Sequence, residues 1–213
     1  MAGKKRELFL KVGERLFSRY GYKDVSIEDI AREAGVGTGS FYTYFSSKEI
    51  FYEEILDSLE RKGIQEVDRL MSAFDSPISR LKAVYRFTTL GIRKNPILLG
   101  ILTDNRKYIY PGQQERLERG RTLRQHVEKA IAGIIKEGEQ KRLLRVKPLH
   151  NPTSLLLAIY DAILMKLDSP GIEELMNDAL HLVERALKRR IRLRPTLRSD
   201  GSRRRRSQKA KQV

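Results

Sequence analysis

The sequence predicts an all-α protein, and three features carry that prediction. Apolar residues recur three and four positions apart along most of the chain, the spacing that lines one face of a helix. Ser76-Pro77, Asn95-Pro96, Asn151-Pro152 and Ser169-Pro170 each put a capping side chain before a proline, the residue best tolerated at the first helical position. No segment alternates apolar and polar residues as a half-buried strand would, and there is no fixed-period repeat and no glycine-rich phosphate loop.

Taken in order, the first helix is expected over about residues 4–20. Leu8, Val12, Leu16 and Tyr20, joined by Phe9 and Phe17, form its apolar face, and Gly21 ends it. Ser26 has the form of an N-cap, with Asp29 able to reach back and Val25 placed to pack on Ile30. Ile27, Ile30, Ala31 and Ala34 then line a two-turn helix that Gly35 closes, since glycine is free of strain at positive φ. A second short helix is expected from about residue 37 to 44. Ser46, with Glu49 three residues on, opens a long helix carrying Ile50, Phe51, Ile55, Leu59, Ile64, Val67, Leu70 and Met71, with Gly63 a candidate bend. The Ser/Asn-Pro pairs place helices at about 77–94, 96–104, 152–167 and 170–192. Another is expected from about 112 to 137, stopped by Gly138 and strongly polar in its first half.

Two short helices joined by a glycine turn make a helix-turn-helix, whose second helix normally enters the DNA major groove. Its composition suits that task. No acidic residue lies between Ala34 and Lys48, Gly37 and Gly39 keep one side thin, and Thr38, Ser40, Tyr42, Thr43 and Tyr44 offer hydroxyls to phosphates or base edges. Phe41 and Phe45 read as its inward face. A surface helical hairpin with an aromatic core stripe is the competing reading of these residues alone.

The pattern Phe17…Gly21-Tyr22…Ser26…Ile30-Ala31…Ala34-Gly35-Val36…Ser40-Phe41-Tyr42…Tyr44-Phe45…Lys48-Glu49 resembles the N-terminal domain of the tetracycline-repressor (TetR) family from about Leu8 to Leu56. Beyond that the resemblance is architectural. It implies a dimeric transcriptional regulator, most often a repressor, released from a pseudo-palindromic operator by a small molecule held in the C-terminal domain. Carried onto this chain, it implies double-stranded DNA contacts from Ser26, Gly37, Thr38, Gly39, Ser40, Tyr42, Thr43, Tyr44 and Lys48. Tyr42 and Lys48 would act mainly through phosphate, and Thr38, Ser40 and Tyr44 would matter more for sequence choice. The expected organisation is a helix-turn-helix domain over residues 1–46, a helical ligand-binding and dimerisation domain over 47–193, and a flexible basic tail over 194–213.

Residues 155–167 are apolar nearly all round, and the last helix carries a seam of three and four spacing with charges outside it. A second copy is the simplest cover for the surplus, with Leu156, Ile159, Ile163, Leu175, Ala179, Leu180, Val183 and Leu187 as the expected interface. Two core helices of a monomer is the competing reading. A cavity for a small hydrophobic effector is expected among the middle helices, with Tyr85, Thr88, Leu99, Leu102, Asn105, Tyr108 and His126 as candidate contacts. For each of these, ordinary core or surface is the competing role.

The net charge of +16 suits a polyanionic partner, but its distribution matters. Residues 194–213 carry eight basic groups and one acidic, while residues 1–50 carry nine and seven. The local motif is therefore the stronger argument. An enzyme lacks a constellation: there is no cysteine, and His126, His150 and His181 are scattered without metal-ligand spacing, so neither metal nor cofactor is expected beyond the effector. A protein-protein adaptor remains possible for an all-helical chain but leaves residues 37–44 unexplained. No signal peptide is visible and no apolar run is long enough to span a bilayer, so a cytoplasmic protein away from membranes is expected.

Overall fold

The computed structural model describes residues 2–113, 122–146 and 149–188. Nine helices account for the regular structure there: Ala2–Tyr20 (α1), Ile27–Glu33 (α2), Thr38–Tyr42 (α3), Lys48–Ala73 (α4), Pro77–Lys94 (α5), Pro96–Leu102 (α6), Thr122–Gln140 (α7), Pro152–Leu164 (α8) and Ile172–Leu187 (α9). The β pairing among the described residues is one isolated bridge between Leu144 and Lys188. The basic tail, most of the polar half of the helix expected from residue 112, and the last helix beyond residue 188 lie outside the described residues.

The helix starts follow the capping chemistry. Ser26 accepts the Asp29 N–H at 3.1 Å while its own N–H donates to the Asp29 carboxylate at 3.0 Å, a reciprocal capping box. Ser76, Asn95 and Asn151 accept from the third residue of α5, α6 and α8, each with proline inside the first turn. Two expected starts move. Ser47, not Ser46, caps α4, accepting the Ile50 N–H at 3.2 Å; with two serines in a row, burial of both Phe45 and Phe51 sets the register. The last helix is capped by Gly171 at φ 75, so Ser169-Pro170 lies in the preceding turn.

Two glycines expected to interrupt helices serve packing instead. α4 runs unbroken through buried Gly63, where an added Cβ would lie 3.0 Å from the Leu123 side chain of α7. α7 continues past Gly138 to Gln140, because the chain folds back so closely that a Cβ at Gly138 would meet Leu144 at 2.4 Å. The left-handed residue beyond that helix is Arg142, at φ 56.

The buried residues form two cores. The first gathers Phe9, Val12, Phe17, Tyr22, Val25, Ile30, Phe41, Phe45 and, from α4, Phe51, Tyr52, Ile55 and Leu56. Ile97 and Tyr110 join it from farther along the chain. The second lies among α4, α5, α7, α8 and α9. α4 thus belongs to both, and the first core reaches beyond the residue 46 boundary expected from sequence.

The C-terminal seam also differs from expectation. Leu156, Ile163, Leu180, Val183 and Leu187 are buried in the second core of the protomer itself. They face inward because one 3.6-residue stripe of α8 packs on α7 and α5, and one stripe of α9 packs on α8 and α5. What remains outside is a second stripe: Leu155, Ala158 and Ala162 on α8 with Met165 at its C-cap, and Leu175, Leu182 and Ala186 on α9, with Ile159 and Ala179 half-buried at its edge. Met165 and Leu182 are 83% and 69% exposed.

Candidate nucleic-acid interface

α3 is only five residues long, so its order comes from tertiary contacts rather than from helix propensity. Its anchor is Phe41, fully buried, edge-on to Phe9 at 5.7 Å and to Phe51 at 5.1 Å between ring centres. Phe45 locks against Phe51 at 4.6 Å. Such edge-to-face pairs add about 0.5–1.5 kcal/mol each beyond the area they bury. α1 and α4 therefore hold α3 in place, and Gly13 permits their close approach: a Cβ there would sit 2.4 Å from the Phe51 ring.

With Phe41 inward, the other side of α3 faces out. Gly37, Gly39, Tyr42 and Thr43 are exposed, and Thr38 and Ser40 are half-exposed. A Cβ at Gly37 or Gly39 would meet nothing within 4 Å, so the thin face is open. Tyr42 is 55% exposed, and its ring meets that of Phe41 edge-on. Thr43 donates to the Gly39 carbonyl at 3.3 Å. Tyr44 is half-buried against Phe9, which limits its reach compared with Tyr42. Ser26 belongs first to the α2 cap, where its hydroxyl donates to Asp29 at 2.6 Å as well as accepting.

Lys48 begins α4 beside this face. Its ammonium stands 4.4 Å from the centre of the Tyr22 ring. Partial burial lowers its pKa from the usual lysine range, opposed by the nearby carboxylates of Glu49 and Asp24. Tyr22 itself donates to Glu49 at 2.6 Å, which holds the Glu49 carboxyl below its ordinary pKa. Arg6 reaches across the same domain, paired with Glu54 and lying over the Phe45 ring.

Sequence reasoning missed the strap that joins the two parts. The segment after α6 crosses the end of α1: the Tyr22 N–H donates to the Lys107 carbonyl at 2.8 Å, and the Tyr108 hydroxyl donates to the Ser18 carbonyl at 3.2 Å. Tyr52 donates to the Tyr108 carbonyl at 3.0 Å, and Tyr110 to Glu53 at 2.8 Å. Gly21, at φ 82, lets the Lys107 backbone approach. The signal was the aromatic pair Tyr108 and Tyr110 in a polar turn, which no periodicity rule weights.

The expected effector contacts are not brought together. Tyr85 and Thr88 are buried in the second core with their hydroxyls satisfied by the Leu156 and Val84 carbonyls, and Leu99 packs against that core. Tyr108 belongs to the first core, while Leu102 and Asn105 are exposed, the latter accepting the Lys107 N–H at 3.1 Å. His126 lies 2.7 Å from Asp68 across α7 and α4. A surface recess of about 510 Å³ opens elsewhere, among Pro77, Ile78, Lys82, Leu144, Glu184 and Lys188.

Fold and face together give an all-helical arrangement among the described residues, with an N-terminal helix-turn-helix that presents the open side of α3. Residues 9–55 match the model of the bacterial regulatory proteins of the tetR family, which marks this N-terminal part as the DNA-binding domain of a transcriptional regulator. It is 27% identical over 141 residues to the uncharacterized HTH-type transcriptional regulator YhgD of Bacillus subtilis, covering 64% of this chain and 72% of that protein. A TetR transcription regulator from Haloarcula marismortui shares the fold with a TM-score of 0.68, at 19% identity over 88% of this chain and all of the other. NalD of Pseudomonas aeruginosa, the secondary repressor of the MexAB-OprM multidrug efflux pump, superposes with a TM-score of 0.58, at 22% identity over 89% and 100% of the two chains. No helix among the described residues is long and apolar enough to cross a membrane.

Proposed function

We propose that this chain is a homodimeric repressor that reads a pseudo-palindromic operator and leaves it when a small hydrophobic effector binds its C-terminal part. The observation that carries DNA reading is the outward face of α3: open at Gly37 and Gly39, free of acid, set with hydroxyls and flanked by Lys48. Thr38 and Ser40 reach base edges in this reading, while Tyr42 and Lys48 hold phosphate. Dimerisation is supported by the second apolar stripe on α8 and α9, which the protomer leaves uncovered and a second copy would bury.

Repression agrees with what NalD is described as doing, though the sign of control is a property of where an operator lies. An apolar effector is supported by the second core, whose interior is aliphatic and aromatic apart from a few hydroxyls such as those of Tyr85, Thr88 and Thr89. Release requires that the effector bind one arrangement of the recognition helices better than another. The strap from Lys107 to Tyr110 and the shared helix α4 are the physical links by which that preference would reach α3.

Selecting duplexes from a random library with the purified protein tests this. Two half-sites in inverted repeat, centred about 34–36 Å or a multiple apart, are expected. Enrichment of no sequence, or of a single asymmetric site, would overturn the dimeric reading.

A further inference from the structure

The Lys48 ammonium lies over an aromatic face, and that face is tied to the rest of the molecule from three directions. The Tyr22 ring is 5% exposed, stacked on Phe17 at 6.0 Å and against Tyr52 at 5.0 Å between centres. Its hydroxyl donates to Glu49 at 2.6 Å, the residue after Lys48. Its backbone N–H is held by the Lys107 carbonyl of the strap at 2.8 Å. A free lysine side chain samples many rotamers, and ordering it on a phosphate costs entropy that a preset position avoids. A cation within about 6 Å of a ring centre is attracted to the ring's face, and a desolvated one more strongly.

We propose that Tyr22 is a positioning residue for DNA binding: its ring holds the Lys48 ammonium at the start of α4, facing the phosphate backbone, and its backbone bond to Lys107 makes that placement answer to the C-terminal part of the chain. The inference rests on the reading of Lys48 as a phosphate contact. Tyr22 touches no DNA; it acts through Lys48. The ring supplies the platform, the Glu49 bond fixes the ring's tilt, and the strap fixes its height. A shift of the strap would then move Lys48 directly, without requiring α4 to bend.

A double-mutant cycle tests it, using the full chain and a random-sequence duplex, with binding followed across salt concentrations. Y22F keeps the ring and is expected to bind within about twofold of the wild type. Y22L removes the platform and should weaken binding about two- to fivefold per protomer in the wild-type background, and not at all in a K48A background. A Y22L loss that persists undiminished in K48A would mean that Tyr22 only stabilises the domain, and would overturn the inference. K48A without effect on affinity or salt slope would overturn the phosphate reading of Lys48 and the inference with it. Should Y22L fail to fold, the proton resonances of the Lys48 ε-methylene decide: a ring face at this distance shifts them upfield in the wild type and in Y22F. Unshifted resonances would overturn the inference.

Discussion

Lys48 shows how much of a DNA contact is settled one residue at a time. It stands at the first turn of α4 with its charge over Tyr22, beside a face that carries no carboxylate between Ala34 and itself. K48A should therefore weaken binding to all duplexes and flatten the salt dependence by about one unit per protomer, measured by anisotropy titrations at several salt concentrations. S40A belongs to the other kind. Ser40 is half-exposed on α3, so its loss should change which bases are selected, costing about 1–3 kcal/mol of discrimination at one position and little on random DNA. Equal losses on selected and random duplexes for both variants would contradict this division.

Between elements, what matters is how closely helices approach and what ties them. G13A places a methyl 2.4 Å from the buried Phe51 ring, so α1 and α4 must part and stability should fall by about 1–3 kcal/mol. G133A, on the exposed side of α7 with nothing within 4 Å, should instead gain about 0.5–1 kcal/mol from helix propensity. Urea denaturation separates the two, and a common sign would contradict the packing argument. The α5–α9 tie carries a pH signature. Glu184 pairs with Lys188 at 2.6 Å and with Lys82, and these bonds pull its pKa from the ordinary 4.5 to about 2. A carboxylate more acidic when folded stabilises the fold fully above the unfolded value and ceases to do so as pH falls through the folded one. E184Q should thus melt below the wild type at neutral pH, with the gap closing between about pH 4.5 and 2. A gap independent of pH would show that the ion pairs contribute nothing.

At the scale of the molecule, the exposed stripe on α8 and α9 sets the test of assembly. L175R combined with L182R should leave the protomer folded, because both side chains lie outside the core, yet give a monomer in sedimentation and weaken operator binding. The same change at Ile163 or Leu180 would bury a charge in the second core and unfold the protomer, so it could not report on assembly. A double variant that still sediments as the wild type does would remove this face from the interface.

The sequence by itself determined the local features: the caps at Ser26, Ser76, Asn95 and Asn151, the apolar spacing of each helix, and the helix-turn-helix with Phe41 inward. These are legible because capping and amphipathic periodicity act within one or two turns, where neighbours in sequence are neighbours in space. Only the tertiary structure decided which of two apolar stripes on α8 and α9 faces the protomer's own core. Both stripes have helical spacing, and the choice depends on where the helices they pack on lie: α5 and α7 for α8, α5 and α8 for α9. It also decided that Gly63 and Gly138 admit a neighbouring side chain rather than bend or end a helix, since a glycine reads alike for either purpose until the approaching Leu123 or Leu144 is placed. The strap from Lys107 to Tyr110 and the ring beneath Lys48 come from residues more than twenty positions apart, bound by single hydrogen bonds and one ring face, and contacts of that kind leave no period in the chain to read.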